Sequence, residues 1–353
     1  MQKKILHIIN PDKFTIPFIQ FINREFDPSE HLFLCNTKPE DKVLKANPNV
    51  KYLHNRYRKN LFKNTLIFYK CIKGADKIIL HGNPILAIFI LFPYILKKTY
   101  WIIYGYEFDK TNSRKKIKIN EFIHFFIKRF VLKRVNGHIT HIKGDSDLAN
   151  TLYRSSAKYY YSPMYLSNVV GETKQNISKE KNKQGIKKIL VGNSTSPSNN
   201  HASIFQMLMP YKESNILIYC PLSYGIFLEY RDEVIRHGKE LFAEKFIPLT
   251  DFMTLDKYNS FLQDIDIAIF NHYRQEAMGI TLTLLNMGKT IYMNSHTTSY
   301  RSLMERGIQV FDNNIIQKDG LFVNRDVSMN PGLVYNEYNY EKLKSSLSDI
   351  FNN

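Results

Sequence analysis

Short apolar runs alternate along the chain with longer segments in which apolar residues recur at the spacing of a helix. Continuous apolar runs are typical of strands that are buried on both faces of a parallel sheet. The segments 16–26, 60–73 and 117–135 have the period of amphipathic helices. The alternation therefore predicts an α/β protein with parallel sheets. Strands are predicted at 5–9, 32–35, 77–81, 99–104, 138–141 and 158–161, from 188 onwards, and at 215–219, 247–249, 266–270, 290–293 and 309–311.

A polar segment divides the chain into two halves of similar pattern. Residues 171–185 contain no Phe, Leu, Val, Tyr or Trp, which is typical of an exposed linker. A length of 353 residues also exceeds the usual size of one domain. We expect an N-terminal domain over 1–170, the linker, a C-terminal domain over 186–335, and a terminal helix within 336–353 that packs back on the first domain.

The composition is that of a globular protein but strongly basic, with 49 Lys and Arg against 32 Asp and Glu. A net charge of +17 favours an anionic partner: nucleic acid, phospholipid head groups or a phosphorylated substrate. The sequence contains no recognisable nucleic-acid-binding module, so a nucleic-acid partner is not expected. Basic and apolar residues interleave in 56–73 and 110–134, as in helices that bind anionic membranes. A core-facing helix with a solvated basic back is the alternative.

The cysteines and the apolar runs indicate where the protein works. Cys35, Cys71 and Cys220 are far apart and have neither disulfide-framework nor zinc-ligand spacing, which favours a reducing compartment. The first ten residues lack the long apolar region and the cleavage site of a signal peptide. The longest apolar run, 85–96, contains Pro93 and is too short to span a bilayer. We expect a soluble or peripheral protein of the cytoplasm.

The strongest candidate site follows the strand that begins at 188. The sequence ILVGNS at 189–194 runs into a loop of small hydroxyl and amide residues, and a helix follows from His201. Such a loop presents backbone N–H groups and a helix N-terminus, which together bind phosphate. The alternative is an ordinary turn in which Ser198 and Asn199 cap the helix. The candidate ligand-binding residues here are Gly192, Asn193, Ser194, Ser198 and His201.

A second candidate site lies between the strand at 266–270 and an apolar helix. Gly279 allows a close approach of the backbone to a ligand, and the start of the helix supplies the positive end of a dipole. Arg274 can add a charge-assisted hydrogen bond to the same anion. A solvated loop before a buried helix is the alternative. The candidate residues are Asn271, Arg274, Gln275, Glu276, Gly279 and Thr281.

In the first half, polar residues follow two predicted strands, as HGNP at 81–84 and GYEFD at 105–109. Ligands of open α/β folds bind at the carboxyl ends of the strands, where these residues are expected. Glu107 or Asp109 can take a proton from a substrate hydroxyl, since this step needs a carboxylate or an imidazole within hydrogen-bond reach. His81 is a further candidate base, although a histidine after a strand is more often a structural hydrogen-bonding residue.

The order of these motifs resembles that of the bacterial 4-acetamido-4,6-dideoxygalactose transferases of enterobacterial common antigen assembly. The most specific match is ILVGNS with Ser198, Asn199 and His201. This family usually has Gly-Ala-Asp where the chain has GYE at 105–107, so a catalytic carboxylate at 107 is one methylene longer. The resemblance extends roughly from 81 to 312, and its other matching features are His81-Gly82, the tryptophan-containing strand that leads to Gly105-Tyr106-Glu107, KRV at 133–135, Gly144-Asp145, Pro221 with Tyr224, and Gln275 with Gly279 and Thr281.

The resemblance implies a GT-B fold, in which two Rossmann-like domains face a cleft, and two α/β halves joined by a linker fit that architecture. It implies transfer of a sugar from a dTDP-sugar to a polyprenyl-diphosphate-linked acceptor, with Tyr224 on the donor side. From Glu276 the pattern E-x-x-G-x-T-L is also similar to the donor motif of the large retaining GT-B families, but Leu284 occupies the position of their second glutamate. The acceptor-side residues are expected to be Gly82, Gly105, Lys143 and Asp145.

Two D-x-D triplets have the spacing of the sugar-nucleotide metal site of a different glycosyltransferase architecture. In the triplet 145–147, Ser146 and Asp147 are expected to cap the next helix, with Asp145 in the preceding loop. The triplet 264–266 leads into a buried strand. We therefore expect no metal site and no cofactor.

The sequence thus predicts a metal-independent glycosyltransferase at the cytoplasmic face of the bacterial inner membrane. We expect its donor to be a nucleoside-diphosphate sugar in which a deoxyamino sugar is linked to dTDP. We expect its acceptor to be a lipid-linked or cell-surface glycan. Two alternatives remain open. One is a teichoic-acid-type or other surface-polysaccharide transferase with a UDP or GDP donor. The other is a non-enzymatic basic scaffold that binds membrane or nucleic acid.

Overall fold

The computed structural model describes residues 4–12, 14–36, 44, 47–54, 60–82, 86–108, 119–172 and 185–353, with the backbone alone at 119–122. The chain forms two compact units, one of Met1–Val169 with Tyr340–Asn353 and the other of Val170–Asn339. Most of the predicted linker, 173–184, lies outside the described residues, as do Asp109 and the basic stretches 56–59 and 110–118. Within the part of the chain that is described, no helix is long and apolar enough to cross a membrane.

The first unit is built on a parallel sheet with the strand order β3-β2-β1-β4-β5-β6-β7. Its strands are β1 (Ile5–Ile9), β2 (His31–Cys35), β3 (Val50–Tyr52), β4 (Lys77–His81), β5 (Thr99–Ile102), β6 (Gly137–Thr140) and β7 (Lys158–Tyr161). Its helices are α1 (Thr15–Glu25), α2 (Leu61–Lys73), α3 (Ile119–Leu132), α4 (Lys143–Tyr153) and the terminal helix α12 (Tyr340–Asn352).

Both faces of this sheet are buried, which explains why its strands are continuous apolar runs. Leu6 and Ile8 point into one core, together with residues of α2 and α3. Ile5 and Ile9 point into the other core, which also contains Leu347 and other residues of the terminal helix. The last residues of the chain are therefore part of the first unit.

The second unit has a parallel sheet with the order β10-β9-β8-β11-β12-β13. Its strands are β8 (Lys187–Val191), β9 (Ile216–Pro221), β10 (Phe246–Leu249), β11 (Ile267–Phe270), β12 (Thr290–Met293) and β13 (Phe311–Asp312). Its helices are α5 (His201–Leu208), α6 (Leu228–Phe242), α7 (Leu255–Gln263), α8 (Met278–Asn286), α9 (Thr298–Glu305), α10 (Ile315–Asp319) and α11 (Asn330–Tyr338). Because β8 is hydrogen-bonded to β11, the loops that follow these strands lie side by side.

The predicted strands are present, and three local predictions need correction. Strand β3 was not predicted, because it is short, half-exposed and has Lys51 at its centre. The strand predicted at 309–311 begins only at Phe311, because the Asn330 side chain donates to the carbonyl oxygen of Gln309 and accepts from its amide, each at 2.8 Å. The helical region predicted within 336–353 comprises the end of α11, in the second unit, and all of α12, in the first.

Candidate active site

The loop 192–200 leaves the carboxyl end of β8 through a glycine. It is called the donor loop below, after the donor-binding role that the sequence predicts for it. Gly192 has a φ of +65°. A Cβ atom at this position would lie 2.5 Å from Nε2 of His201 and 2.8 Å from Oδ1 of Asn199, closer than real contacts allow. The close packing and the left-handed backbone both require glycine here.

Asn199 holds the donor loop in shape. Its buried side-chain oxygen accepts hydrogen bonds from the Asn193 amide at 2.8 Å and from Nε2 of His272 at 3.1 Å. Its side-chain amide donates to Oγ of Ser194 at 3.0 Å. The sequence suggested Asn199 as a helix cap and as part of the family resemblance, yet helix α5 has no side-chain cap and Asn199 is the centre of the loop instead.

Glu276 joins the donor loop to the loop that follows β11. One carboxylate oxygen accepts from Oγ of Ser198 at 2.5 Å, and the other accepts from Oγ of Ser194 at 3.4 Å. The carboxylate also forms an ion pair with Arg274 at 3.3 Å, and the two side chains are only 12% and 15% exposed. The two strand-end sites predicted from the sequence therefore form a single polar cluster.

Two histidines complete this cluster as neutral groups. Burial lowers the pKa of His272 to about 3, with a smaller contribution from Arg274. Its Nε2 lies 3.1 Å from side-chain oxygens of both Asn193 and Asn199, so this nitrogen carries the proton. Burial also lowers the pKa of His201 to about 3. His272 was missed in the sequence because it is one of several polar residues after β11.

Helix α8 begins at Met278, two residues after Glu276. Ala277 has a φ of +59° and is followed by Met278, so the chain turns sharply into the helix. The first amides of a helix lack intrahelical partners and carry a partial positive charge, which suits an anionic ligand. Gly279 lies in this first turn. The next turn begins with Thr281, whose buried hydroxyl has no hydrogen-bond partner among the described residues.

The other residues that the sequence predicts to bind the sugar donor differ in their contacts and in their exposure. Asn271 is engaged within the fold, since it donates to Oγ of Ser203 and accepts from Asn313, both at 3.1 Å. Gln275 is buried beside the cluster. Tyr224 exposes 55% of its surface, and its carbonyl accepts from the Thr195 amide at 2.7 Å. The loop after β9 is thereby attached to the donor loop.

In the first unit, Glu107 lies in a short 3-10 turn, Tyr106–Phe108, beyond the end of β5. Its carboxylate is buried and accepts from the Tyr104 amide at 3.2 Å. Burial raises the pKa of Glu107 to about 7, although backbone amides and Lys128 act in the opposite direction. A carboxylate with this pKa can serve as a general base near neutral pH.

His81 is not placed to act as a base, contrary to the prediction. It is fully buried, and Nε2 is hydrogen-bonded to His7 at 3.1 Å while Nδ1 is hydrogen-bonded to the hydroxyl of Tyr165. His7 continues the chain to His31 at 3.0 Å. His81 therefore belongs to a buried chain of hydrogen bonds that crosses the first sheet, and both of its ring nitrogens are occupied.

The predicted acceptor-side residues follow strand ends of the first sheet. Gly82 and Gly105 have φ values of +68° and +94°. A Cβ atom on Gly82 would lie 2.8 Å from the Tyr106 hydroxyl, so this glycine allows the two strand-end loops to pack together. Lys143 begins helix α4, and Asp145 is buried in its first turn.

The sequence matches the family described as 4-alpha-L-fucosyltransferase glycosyl transferase group 56 over residues 15–326, which is most of its length. The chain belongs to glycosyl transferase group 56.

Solved structures show that this group 56 protein has the GT-B fold, with two Rossmann-like domains. Anabaena HepE in complex with UDP superposes with a TM-score of 0.72 at 11% identity, covering 99% of both chains. Sucrose-phosphate synthase from Thermosynechococcus elongatus gives 0.71 at 8% identity, covering 99% of this chain and 98% of the other. A glycosyltransferase from Rickettsia africae gives 0.67 at 10% identity, with coverage of 99% and 98%. The predicted α/β fold class is confirmed.

The two D-x-D triplets of the group 56 protein are engaged in other contacts. Asp145 is not in a loop, and Ser146 and Asp147 do not cap α4 as predicted, because the helix already begins at Lys143. Asp147 pairs with Lys143 at 2.7 Å. In the second triplet, Asp264 pairs with Lys188 at 3.0 Å. Across the residues whose positions are described, no group of three or more His, Cys, Asp or Glu could hold a metal ion.

Proposed function

We propose that this protein transfers a deoxyamino sugar from a dTDP-sugar to a lipid-linked or cell-surface glycan at the cytoplasmic face of the bacterial inner membrane. The observation that carries the proposal is the largely buried cluster of Ser194, Ser198, Asn199, Arg274 and Glu276 beside the start of helix α8. It combines a cation, amide groups and hydroxyls in one place, as recognition of a sugar nucleotide requires.

Three observations support a sugar nucleotide as the donor. The name of group 56 refers to a fucosyltransferase, and fucose is a 6-deoxy sugar. The order of motifs resembles that of enzymes that use a dTDP-sugar. HepE, which has the same fold, has been solved with UDP, with UDP and glucose, and with UDP-glucose. All three point to a sugar nucleotide as the donor.

The proposed reaction forms one bond and breaks another. An acceptor hydroxyl oxygen attacks the anomeric carbon of the donor, the bond from that carbon to the diphosphate breaks, and the nucleoside diphosphate leaves with the bonding electrons. Glu107 takes the hydroxyl proton in an inverting reaction. Arg274 and the first amides of α8 stabilise the charge on the departing diphosphate, so that no metal ion is required.

Thermal stabilisation by nucleotides tests the donor. A ligand that binds only the folded protein stabilises it by about 2.7 kcal/mol at a hundred times its Kd. We expect dTDP to raise the melting temperature more than UDP or GDP does. If no nucleoside diphosphate raises it, the protein is the non-enzymatic scaffold and the proposal is wrong.

A surface-polysaccharide transferase with a UDP donor is the second candidate, because the HepE structures hold UDP. In that case UDP gives the largest shift in the same screen. Radiolabelled transfer from dTDP-, UDP- and GDP-sugars to extracted lipid-linked acceptors then separates the two enzymes directly.

A further inference from the structure

Helix α2 carries large apolar side chains on both of its faces. Phe68 and Ile72 are buried in the core. Phe62, Leu66 and Tyr69 follow one another at helical spacing on the opposite face, and they are 84%, 44% and 41% exposed. A helix that only covers a core has polar residues on its outer side. Packing against the core therefore does not account for the apolar residues on the outer face of α2.

The same surface continues onto two neighbouring elements of the first unit. The ring of Phe92 lies 5.9 Å from that of Tyr69 and 6.5 Å from that of Tyr94, which connects α2 to the 3-10 segments Leu86–Ile90 and Pro93–Lys98. Helix α3 packs against the first of these segments. The exposed members of this set, called the apolar surface below, are Leu61, Phe62, Leu66, Tyr69, Ile90, Leu91, Tyr94, Ile123, Phe125 and Phe126.

The charges around the apolar surface are almost all positive. In sequence, the segments 61–73, 86–98 and 119–134 contain nine Lys or Arg and a single acidic residue, Glu121. Lys98 and Lys128 are engaged within the fold, where they donate to the carbonyl oxygens of Ala75 and Glu107. The exposed cations are Lys63, Lys70, Lys73, Lys97, Lys133 and Arg134.

An anionic bilayer fits this combination of apolar and positive groups. A symmetric dimer through the same surface would bring the cations of both copies together, and like charges repel. A bilayer with anionic lipids instead offers an apolar interior to the aromatic side chains and negative head groups to the lysines. Monomeric proteins rarely expose a large contiguous apolar patch without using it in binding.

We propose that the apolar surface inserts into an anionic membrane through Phe62, Leu91 and Tyr94, while the surrounding lysines contact lipid head groups. This inference rests on the proposed function, because an acceptor anchored in lipid must be reached at a membrane. The candidate base is connected to one of the helices that form this surface. Lys128 of α3, the helix that carries Ile123, Phe125 and Phe126, donates to the Glu107 carbonyl oxygen at 2.9 Å.

Vesicle flotation with the full chain tests the proposal. We expect binding to phosphatidylcholine vesicles that contain about 30% phosphatidylglycerol, weaker binding to pure phosphatidylcholine, and loss of most binding at about 1 M salt, where the screening length falls to about 3 Å. The triple variant Lys63→Ser, Lys70→Ser, Lys97→Ser should bind on the order of 100-fold more weakly, since each basic residue contributes about fivefold.

The apolar contribution is tested by the triple variant Phe62→Ser, Leu91→Ser, Tyr94→Ser, for which we expect at least about a tenfold loss of vesicle binding. The matched control is Met329→Ser with Lys239→Ser and Lys257→Ser, which alters exposed residues of the second unit and should bind as the unaltered protein does. Nucleotide-induced thermal shifts, measured on every variant, report that the fold and the donor site are intact.

The outcomes distinguish this inference from the proposed function. Vesicle binding that is equal in the apolar triple variant and the unaltered protein overturns insertion, whatever the charge variant does. Absence of binding to anionic vesicles overturns the inference even if dTDP stabilises the protein. Binding to vesicles without any nucleotide-induced stabilisation leaves the inference standing and contradicts the proposed enzyme. Loss of binding in the control variant would show that the effect is not specific to this surface.

Discussion

Gly192 and Asn199 set the shape of the donor loop through contacts that no other side chain at these positions can reproduce. Gly192 combines a positive φ with close contacts to Asn199 and His201, and Asn199 uses both ends of its amide. Neither residue needs to contact a ligand directly, because each fixes the backbone amides and hydroxyls that can. Strained backbone geometry of this kind usually lowers the stability of the fold and is usually found where a protein binds a ligand.

Replacing Gly192 by valine should abolish nucleotide binding and leave most of the fold intact. The added side chain would displace His201 and Asn199, so we expect nucleotide affinity to fall more than tenfold, measured by titration calorimetry. Gly332→Ala is the matched control, because a Cβ atom there meets no neighbouring atom within 4 Å. Equal affinity in Gly192→Val and the unaltered protein would show that the donor loop does not hold the nucleotide.

Glu107→Gln keeps the shape of the side chain and removes its basicity. If Glu107 is the acceptor base, turnover should fall by about 10²–10⁴-fold while dTDP binding stays unchanged. Turnover of the unaltered enzyme should rise with pH through about 7, where the carboxyl loses its proton, and the variant should lack this rise. Glu341→Gln, at an exposed position, is the control. Near-normal turnover of Glu107→Gln would transfer the role to Asp109 or indicate a retaining mechanism.

At the level of elements, the start of helix α8 and the loop after β11 provide the positive charge of the candidate site. The helix is apolar and buried, so its orientation is fixed by the core and its first amides point to the carboxyl edge of the sheet. Arg274 reaches the same place and is held there by Glu276. These groups can replace a divalent cation in neutralising a diphosphate.

Sugar transfer should therefore not depend on a divalent metal ion. We expect the rate in excess EDTA to be equal to the rate with added magnesium or manganese, measured by release of nucleoside diphosphate. Arg274→Gln should lower the affinity for dTDP at least about tenfold, since it removes a charge-assisted contact. Complete loss of activity in EDTA that manganese restores would show that a metal site exists after all.

For the whole molecule, the number of buried neutral histidines predicts sensitivity to acid. Burial lowers the pKa of His31 and His138 to about 4, and that of His81, His201 and His272 to about 3, with His7 also well below its ordinary value. The unfolded chain binds protons at these residues below about pH 6.5, and the folded protein does not. The contribution of these histidines to stability is therefore complete above pH 6.5 and is lost as the pH falls towards 4.

Each histidine contributes a loss of about 1.4 kcal/mol per pH unit in this range, so six together can exceed the usual stability of a domain within one or two units. We expect the protein to unfold between about pH 6 and pH 4, and the loss of its circular dichroism signal measures this transition. The first unit, which contains His7, His31, His81 and His138, should unfold at the higher pH. His124→Gln, at an exposed position, should leave the transition unchanged. A native spectrum at pH 4 would contradict the argument.

The sequence by itself determined the two parallel α/β sheets, nearly all of their strands, and the strand-end location of the candidate site residues. These features follow from local rules: a strand buried on both faces must be apolar, and polar residues after such strands must collect at one edge of the sheet. These rules do not predict strand β3, because it is an edge strand with little burial.

Only the tertiary structure decided what individual side chains do. It made Asn199 the centre of the donor loop, brought Glu276 to the serines of that loop, and enclosed His81 between His7 and Tyr165. It also placed the outer face of α2 in an exposed apolar surface, whereas the sequence left open whether this helix binds a membrane or only covers the core. The physical reason is that burial and hydrogen bonding depend on residues far apart in the chain, whereas periodicity reports only on neighbours.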